Sequence, residues 1–251
     1  DFAKDGIYYV IDGTSAYVTY KDTNYNSYSG TVIIPSTVTN NGTTYNVIQI
    51  NPSAFKDCAN LKRVVLPPTI TYLMNYAFQN CTGLTNITLP ADLIGCYNYV
   101  FGGCTNLKSI ICLSPTAYNW NNNNFPSSVL SGATLIVPQG TKAAYQSVGG
   151  CLSAFTDIKE TDCDFAEDAI FYKDLEDNKV AVTHALRFAE DYSGNIEIPE
   201  VVVHNSTSYN VTEVGNEAFY YGHELYSVKL PPTISAIDTY AFYDCFNLTQ
   251  V

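Results

Sequence analysis

The chain has 251 residues, 14% of them charged, and a formal net charge of −12. The charge is uneven: residues 1–160 carry eight basic and eight acidic side chains, whereas residues 161–251 carry four and sixteen. This lack of clustered Lys and Arg argues against a nucleic-acid partner, the absence of a long apolar run argues against a membrane span, and the acidic stretch is interpreted as a solvated face.

Two hairpins and a strand are predicted at the beginning of the chain. Alternating apolar residues over 7–11 and 16–20 flank a turn rich in Asp and Gly, which is typical of a β-hairpin. A third strand is expected over residues 31–34, ending at Pro35 because proline cannot continue a hydrogen-bonded ladder. A second hairpin is expected around the turn at residues 40–42.

A 23-residue pattern then repeats, with copies that start at Cys58, Cys81 and Gly222. A fixed period of this length indicates a solenoid. Six apolar positions recur in each copy and are predicted to face inward: Leu61, Val64, Leu66, Ile70, Leu73 and Phe78, then Leu84, Ile87, Leu89, Leu93, Cys96 and Phe101, then Leu225, Val228, Leu230, Ile234, Ile237 and Phe242. A Phe in every coil predicts a buried aromatic column along the stack.

Each coil is expected to have two sides. In the first copy, residues 63–66 are predicted to form a short strand that stacks in parallel on its neighbours and ends at Pro67. The segment through Ala77 and Phe78 is predicted to form a tight helical or 3₁₀ turn on the opposite side.

The pattern decays after Leu113, where a final strand over residues 134–137 and a short amphipathic helix over residues 142–147 are expected to cover the apolar end. It then restarts: residues 1–3 and 7–9 return at an offset of 163, and residues from Gly30 onward return at an offset of 164. We therefore expect two tandem modules, 1–160 with an N-terminal hairpin and a cap, and 161–251, which is acidic and incomplete. The offset predicts about seventy further residues.

The repeat resembles a known family. The motif runs from Ala77 and Phe78 through Cys81 and Leu84 to Ile87, Thr88, Leu89 and Pro90, and it resembles the treponemal-class leucine-rich repeats of BspA-like surface proteins. Residues 137–146 also resemble the C-terminal cap of that family. The chain departs from the pattern at three positions: Cys96, Val100 and Gly222.

This resemblance implies a β-rich leucine-rich-repeat solenoid and a secreted or surface-attached bacterial protein, often an adhesin for host matrix proteins or partner cells. Twenty-one Tyr and the absence of a basic and apolar leader also favour a mature extracellular product. Ligand identity, oligomeric state, the angle between modules and the anchoring device stay open.

Four of the eight cysteines are interpreted as packing residues. Cys58, Cys81 and Cys104 fall at one position of successive coils, as Cys245 does in the second module, and small buried thiols are expected there. Cys96, Cys104 and Cys112 match no zinc spacing. Cys151 and Cys163 flank the module boundary, and a disulfide between them stays an open alternative. No metal or cofactor site is predicted.

No catalytic site is predicted either. The first 160 residues contain no His, and His184, His204 and His223 lie outside any known catalytic motif. The carboxylates that might pair are Glu190, Asp191, Glu197 and Glu200, but the first-module counterparts of the last two are Ile33 and Ser36, so no duplicated catalytic pair exists. The turn at residues 174–178 lacks the ligand count and glycine of an EF-hand and is interpreted as a solvated hairpin turn.

The remaining candidate is the outer face of the stacked strands, here called the strand face. Its predicted residues are Arg63, Val65, Asn86, Thr88, Ser109 and Ile111 in the first module and Tyr226, Ser227 and Lys229 in the second. Such a mixed polar and apolar strip suits extended contact with a protein or a glycan, although it is also compatible with a merely solvated sheet surface. The Tyr-rich hairpins, with Tyr17, Tyr20, Tyr25 and Tyr28 expected to be exposed, are the rival surface.

The predicted function is therefore a non-enzymatic adhesion protein at the cell surface or secreted, which binds host matrix or other surface proteins. The alternative is a glycan-binding accessory surface protein, whose affinity would lie in aromatic clusters.

Overall fold

The computed structural model describes residues 1–23, 25–161, 163–167, 170–184, 192, 194–204, 206–223 and 225–251. They divide into two compact units, Asp1–Lys159 and Glu160–Val251. Both units consist mainly of short strands stacked in coils, so the prediction of a β-rich repeat solenoid is confirmed. Within the described ranges, every helix is too short or too polar to cross a bilayer.

The first unit begins with hairpins and continues into coils. Its strands are β1 Phe2–Lys4, β2 Ile7–Asp12, β3 Ser15–Thr19, β4 Gly30–Ile33, β5 Thr37–Asn40, β6 Thr43–Ile50, β7 Leu61–Val65, β8 Tyr72–Leu73, β9 Asn86–Leu89, β10 Gly95–Cys96, β11 Ser109–Cys112, β12 Thr134–Val137 and β13 Asp157–Glu160. Its helices are α1 Ser127–Gly132, α2 Lys142–Ser147 and the 3₁₀ helix Leu152–Ala154.

Both predicted hairpins and the strand between them are confirmed. β2 pairs antiparallel with β3, and β5 pairs antiparallel with β6. Asn41 and Gly42 turn the second hairpin with positive φ angles of 49° and 82°, the conformation that a two-residue hairpin turn requires. The strand β4 ends at Ile33, two residues before Pro35.

The coils stack through two parallel ladders. On one side, β11 pairs in parallel with β9 and β12, so that Ser109 lies between Asn86 and Thr134. On the other side, β8 lies between β6 and β10. The first ladder confirms the predicted parallel stacking, whereas the second, of two-residue strands, was not predicted.

The predicted inward positions of the first two copies are all buried. Phe55, Phe78, Phe101 and Phe125 form the expected column, with successive ring centroids 4.8, 5.5 and 5.0 Å apart and nearly parallel planes. Phe155 closes this column edge-on at 5.3 Å from Phe125. Each coil thus buries its apolar edge only against its neighbours.

The expected helical turn through Ala77 and Phe78 is wrong. The segment forms consecutive hydrogen-bonded turns, because Tyr76 and Asn80 adopt positive φ angles of 62° and 60° that no right-handed helix accepts. The backbone N–H groups of Tyr76, Phe78 and Asn80 donate to the next coil, at Asn98, Val100 and Gly102, while those of the residues between them bond within the coil. This alternation extends the inter-coil ladder through the turn.

The cap contains the predicted strand, β12, and the predicted helix, α2. The helix buries Tyr145, whose hydroxyl donates to the carbonyl oxygen of Ser114 at 2.8 Å. The helix α1 and the 3₁₀ helix were not predicted.

The second unit repeats this order. Its strands are β14 Phe165–Glu167, β15 Ile170–Asp174, β16 Lys179–Thr183, β17 Gly194–Glu197, β18 Val201–His204, β19 Thr207–Val214, β20 Leu225–Lys229 and β21 Ala236–Ile237. Of the predicted inward positions, Leu225 and Val228 are buried, whereas Leu230, Ile234 and Phe242 are half-buried and Ile237 is 52% exposed, contrary to expectation. It pairs with Val214 on one side only, whereas the corresponding Leu73 lies between two strands.

Candidate functional site

Two rows of side chains run across the strand face of the first unit. One row contains the predicted Asn86 and Ser109 together with Thr134, all half-buried, and the other contains Thr88, Ile111 and Ile136. Because neighbouring strands lie about 4.8 Å apart, side chains within a row touch one another. The rows bring Asn86, Thr88 and Ser109 together with partial solvent access, whereas Ile111 and Ile136 are only 2% and 1% exposed.

Three predicted strand-face residues are buried: Arg63, Val65 and Ile111 are 9%, 7% and 2% exposed. Ile111 is flanked on both sides by the side chains of its row, and Val65 is flanked by Ile33, which lies in the edge strand and stays 63% exposed. A buried guanidinium requires partners, and Arg63 has them within the chain. The expectation that these three side chains face a partner is therefore corrected.

The three predicted residues of the second unit lie together on β20. Tyr226 is 47% exposed, the Ser227 hydroxyl donates to Asn195 Oδ1 at 2.8 Å, and Lys229 Nζ lies 2.5 Å from Glu197 Oε1. An open depression of about 670 Å³ lies between β17, β20 and residues 250–251. The described residues that line the depression expose similar amounts of polar and apolar surface. The Lys229–Glu197 ion pair in this lining is exposed to solvent, so the pair adds little to the stability of the fold.

The rival tyrosine surface is smaller than predicted. Tyr28 is only 5% exposed, because its ring packs on Phe55 at 4.4 Å and its hydroxyl accepts the N–H of Tyr8 and donates to the carbonyl of Thr19. Tyr192 repeats this arrangement in the second unit, with Phe171 and Thr183 as hydrogen-bond partners. Tyr17, Tyr20 and Tyr25 are half-buried. Tyr28 is thus a core residue.

Exposed aromatic side chains lie instead on the turn side of the coils, which is the side opposite the strand face. They were not predicted from the sequence. Tyr76 and Tyr99 stack at 5.6 Å with planes 7° apart, and they are 38% and 43% exposed. The signal was present as a Tyr in front of the inward Ala-Phe or Val-Phe pair, repeated after 23 residues. The second unit carries a larger group of such rings.

The cysteines are free thiols, and seven of the eight are buried. Cys81 and Cys104 donate from Sγ to the carbonyl oxygens of Phe55 and Phe78 in the preceding coil, at 3.0 and 2.9 Å, and Cys245 bonds Phe219 in the same way. The packing interpretation is confirmed, with an added hydrogen bond between coils. The open alternative of a Cys151–Cys163 disulfide is wrong, because both residues are free.

Burial keeps the Cys151 thiol and the Tyr9 hydroxyl protonated, which predicts a loss of stability at alkaline pH. Burial raises the pKa of Cys151 to about 12, and it also raises the pKa of Tyr9 to about 12, with a smaller contribution from Asp5. Above about pH 9 the unfolded chain loses these protons while the folded chain keeps them, so the free energy of unfolding falls as pH rises toward 12. Urea unfolding at pH 7.5, 9 and 10.5 checks this, and Cys151→Ala should flatten the decline. A midpoint that rises with pH would contradict it.

The residues considered for catalysis do not assemble into a site among the described residues. His204 Nδ1 lies 2.8 Å from Glu167 Oε1, and His223 Nε2 lies 3.9 Å from Asp244 Oδ2, in separate parts of the second unit. Glu197 pairs with Lys229, and Glu190 and Asp191 lie outside the described residues.

Metal binding was considered at three of the cysteines and at the turn of residues 174–178. Across the described ranges, no group of three or more His, Cys, Asp or Glu residues has a metal-binding arrangement. The residues of the turn at 174–178 are exposed, as expected of a solvated hairpin turn.

The pattern of the BspA type Leucine rich repeat region matches residues 24–147 and 194–251 in six copies. Among solved structures, a leucine rich cell surface protein from Faecalibacterium prausnitzii is 18% identical, with a TM-score of 0.38, over 99% of this chain and 75% of that one. A T. pallidum Leucine Rich Repeat protein is 19% identical, with a TM-score of 0.36, over 100% and 80%. The Pneumococcal vaccine antigen PcpA is 15% identical, with a TM-score of 0.30, over 98% and 68%. No curated protein matches the chain.

Proposed function

Because this chain belongs to the BspA-type leucine-rich repeat family, we propose that it is a cell-surface or secreted protein that binds host matrix or other surface proteins and catalyses no reaction. The observation that carries the proposal is the pair of side-chain rows on the strand face. The half-buried residues of these rows, Asn86, Thr88, Ser109 and Thr134, are polar and lie on hydrogen-bonded strands, so a partner would meet a preorganised surface.

The residues proposed to contact the partner are those that keep solvent access. In the first unit they are Asn86, Thr88 and Ser109, and in the second they are Tyr226, Ser227 and Lys229. Tyr226 is the proposed anchor, because Tyr buries a large rigid area for few rotatable bonds and adds a hydroxyl. The buried Arg63, Val65 and Ile111 are not proposed to contact the partner.

The second candidate function is glycan binding, which the exposed rings on the turn side favour. A sugar ring stacks its C–H face on an aromatic ring and offers hydroxyls to polar neighbours such as Asn98 and Asn121, whose side chains bond each other at 2.8 Å beside Tyr99. This surface does not include the strand-face rows.

The two functions are separated by one comparison. The chain is presented in solution to immobilised extracellular matrix proteins and, in parallel, to an array of neutral glycans. We expect saturable binding to at least one matrix protein and no glycan signal above that of the Phe78→Ala variant, whose first unit is destabilised. Glycan binding with no protein binding would contradict the proposal and favour the second candidate.

A further inference from the structure

Six rings form one continuous group on the turn side of the second unit, here called the turn-side cluster. Its members are Tyr220, Tyr221, His223, Tyr240, Tyr243 and Phe246. Tyr220 stacks on Tyr243 with centroids 5.0 Å apart, and His223 stacks on Phe246 at 4.2 Å. Tyr221 joins the two stacks, 4.5 Å from Tyr220 and 5.4 Å from His223.

The cluster is exposed by its position in the coil. Phe246 is 67% exposed, Tyr240 57% and Tyr243 49%. The first-unit residue that corresponds to Tyr240 at the offset of 164 is Tyr76, which is 38% exposed although the next coil stacks directly upon it. Thr82, which corresponds to Phe246, is exposed as well. The positions of Tyr240 and Phe246 therefore face solvent also where another coil follows, whereas Gln79, which corresponds to Tyr243, is half-buried.

The fold does not require aromatic residues at these positions. At five of the six, the first unit carries small or polar side chains instead: Lys56, Asp57, Ala59, Gln79 and Thr82. The backbone is the same in both units, since the N–H of Phe219 donates to Ala241 as that of Phe55 donates to Ala77. Large apolar side chains that packing does not need, gathered in one exposed patch, indicate a binding surface.

The charges around the cluster indicate what it binds. Asp238 and Asp244, both exposed, stand where the first unit has the uncharged Met74 and Asn80. Glu217 lies nearby but is only 5% exposed, so it does not face a ligand. Three basic residues of the first unit are replaced by uncharged residues in the second, since Lys56, Lys62 and Arg63 correspond to Tyr220, Tyr226 and Ser227. Lys229 belongs to the coil that begins at Gly222, but it lies on β20 in the strand face and pairs with Glu197. Rings beside exposed carboxylates suit a positively charged ligand.

We propose that the turn-side cluster is a binding site for a basic segment of a protein partner. Arg or Lys side chains of the segment stack on the exposed faces of Phe246, Tyr243 and Tyr240, and Asp244 and Asp238 attract them. The site shares no residue with the strand face, so it is a second contact surface that goes beyond the proposed function.

The test uses the whole chain and a capped Arg-Gly repeat peptide of about eight residues, with the citrulline version of the same peptide as the uncharged probe. Calorimetry at low ionic strength should detect the Arg peptide and show at least tenfold weaker binding of the citrulline peptide. The paired substitution Tyr243→Gln and Phe246→Thr introduces first-unit residues without changing charge. It should weaken binding of the Arg peptide about tenfold, the sum of two exposed cation–π contacts.

Two matched variants complete the experiment. Tyr97→Gln removes an exposed first-unit ring and should leave the affinity unchanged, and Asp244→Asn should weaken binding and reduce its salt dependence. Equal affinity for the citrulline peptide, unchanged affinity in the paired variant, or no binding of the Arg peptide would overturn the proposal. Neutral oligosaccharides that bind the wild type and not the paired variant would assign the cluster to glycans instead. Substitutions on the strand face should leave the affinity for the Arg peptide unchanged. That result would show that the turn-side cluster binds independently of the strand face, so that either proposal can be wrong without the other.

Discussion

Replacing Phe78 by Ala is expected to lower the free energy of unfolding of the first unit by about 3 to 5 kcal/mol. Phe78 is fully buried, and its ring lies between those of Phe55 and Phe101, at 4.8 and 5.5 Å. The substitution removes contacts with two coils at once, and neighbouring coils fixed by backbone hydrogen bonds cannot close the gap.

Urea unfolding followed by tryptophan fluorescence measures this change, because the chain has one tryptophan, Trp120, which is buried in the first unit. Tyr97→Ala is the matched control: it removes a ring of similar size from a side chain that is 42% exposed, and it should cost about 1 kcal/mol or less. A Phe78→Ala cost no larger than that of the control would mean that the column does not carry the stability of the stack.

Replacing Asn124 by Ala is expected to cost about 2 to 4 kcal/mol. Asn124 is fully buried, its Oδ1 accepts the N–H of Val100 at 3.0 Å, and its Nδ2 donates to the carbonyl of Cys96 at 3.3 Å. Its loss leaves two buried backbone groups without partners at the coil where the repeat gives way to the cap.

Asn106→Ala provides the comparison for Asn124→Ala. Asn106 also bonds a backbone carbonyl 24 residues earlier, that of Thr82 at 2.7 Å, but at an exposed site where water can replace the bond. Its expected cost is within about 0.5 kcal/mol. Equal effects of the two substitutions on the urea midpoint would contradict the assignment of Asn124 as the polar residue that closes the core.

Sequence periodicity predicted what apolar spacing encodes. The recurrence of Leu84, Ile87 and Phe101 at the positions of Leu61, Val64 and Phe78 fixes which side chains point inward, and all of them are buried. Spacing does not encode backbone hydrogen bonding, so the turns with positive φ at Tyr76 and Asn80 were mistaken for helix. Asn124 looked like decay of the repeat, because only the structure shows that its amide replaces a missing backbone partner.

The exposure of the predicted strand-face residues could not be read from the sequence, since Arg63, Val65 and Ile111 are buried. Alternation along a strand assigns Ile111 to the outer side, yet the covering of that side chain depends on Thr88 and Ile136 in the neighbouring strands. The prediction that Tyr28 is exposed was wrong for a related reason, because the abundance of tyrosine suggested a surface role and abundance does not determine burial. Tyr28 precedes Phe55 by 27 residues, as Tyr192 precedes Phe219, and that shared spacing was the available signal for a core position.

Binding through the strand face is tested most directly by the paired substitution Thr88→Arg and Ser109→Arg, measured by surface plasmon resonance on a matrix protein that the wild-type chain binds. The control pair, Thr39→Arg and Thr44→Arg, adds the same charge on the exposed hairpin of β5 and β6, where the two hydroxyls lie 3.0 Å apart. We expect the strand-face pair to weaken binding at least tenfold with its urea midpoint unchanged, and the hairpin pair to bind like the wild type. Full affinity in the strand-face pair, or equal losses in both pairs, would contradict binding through this face.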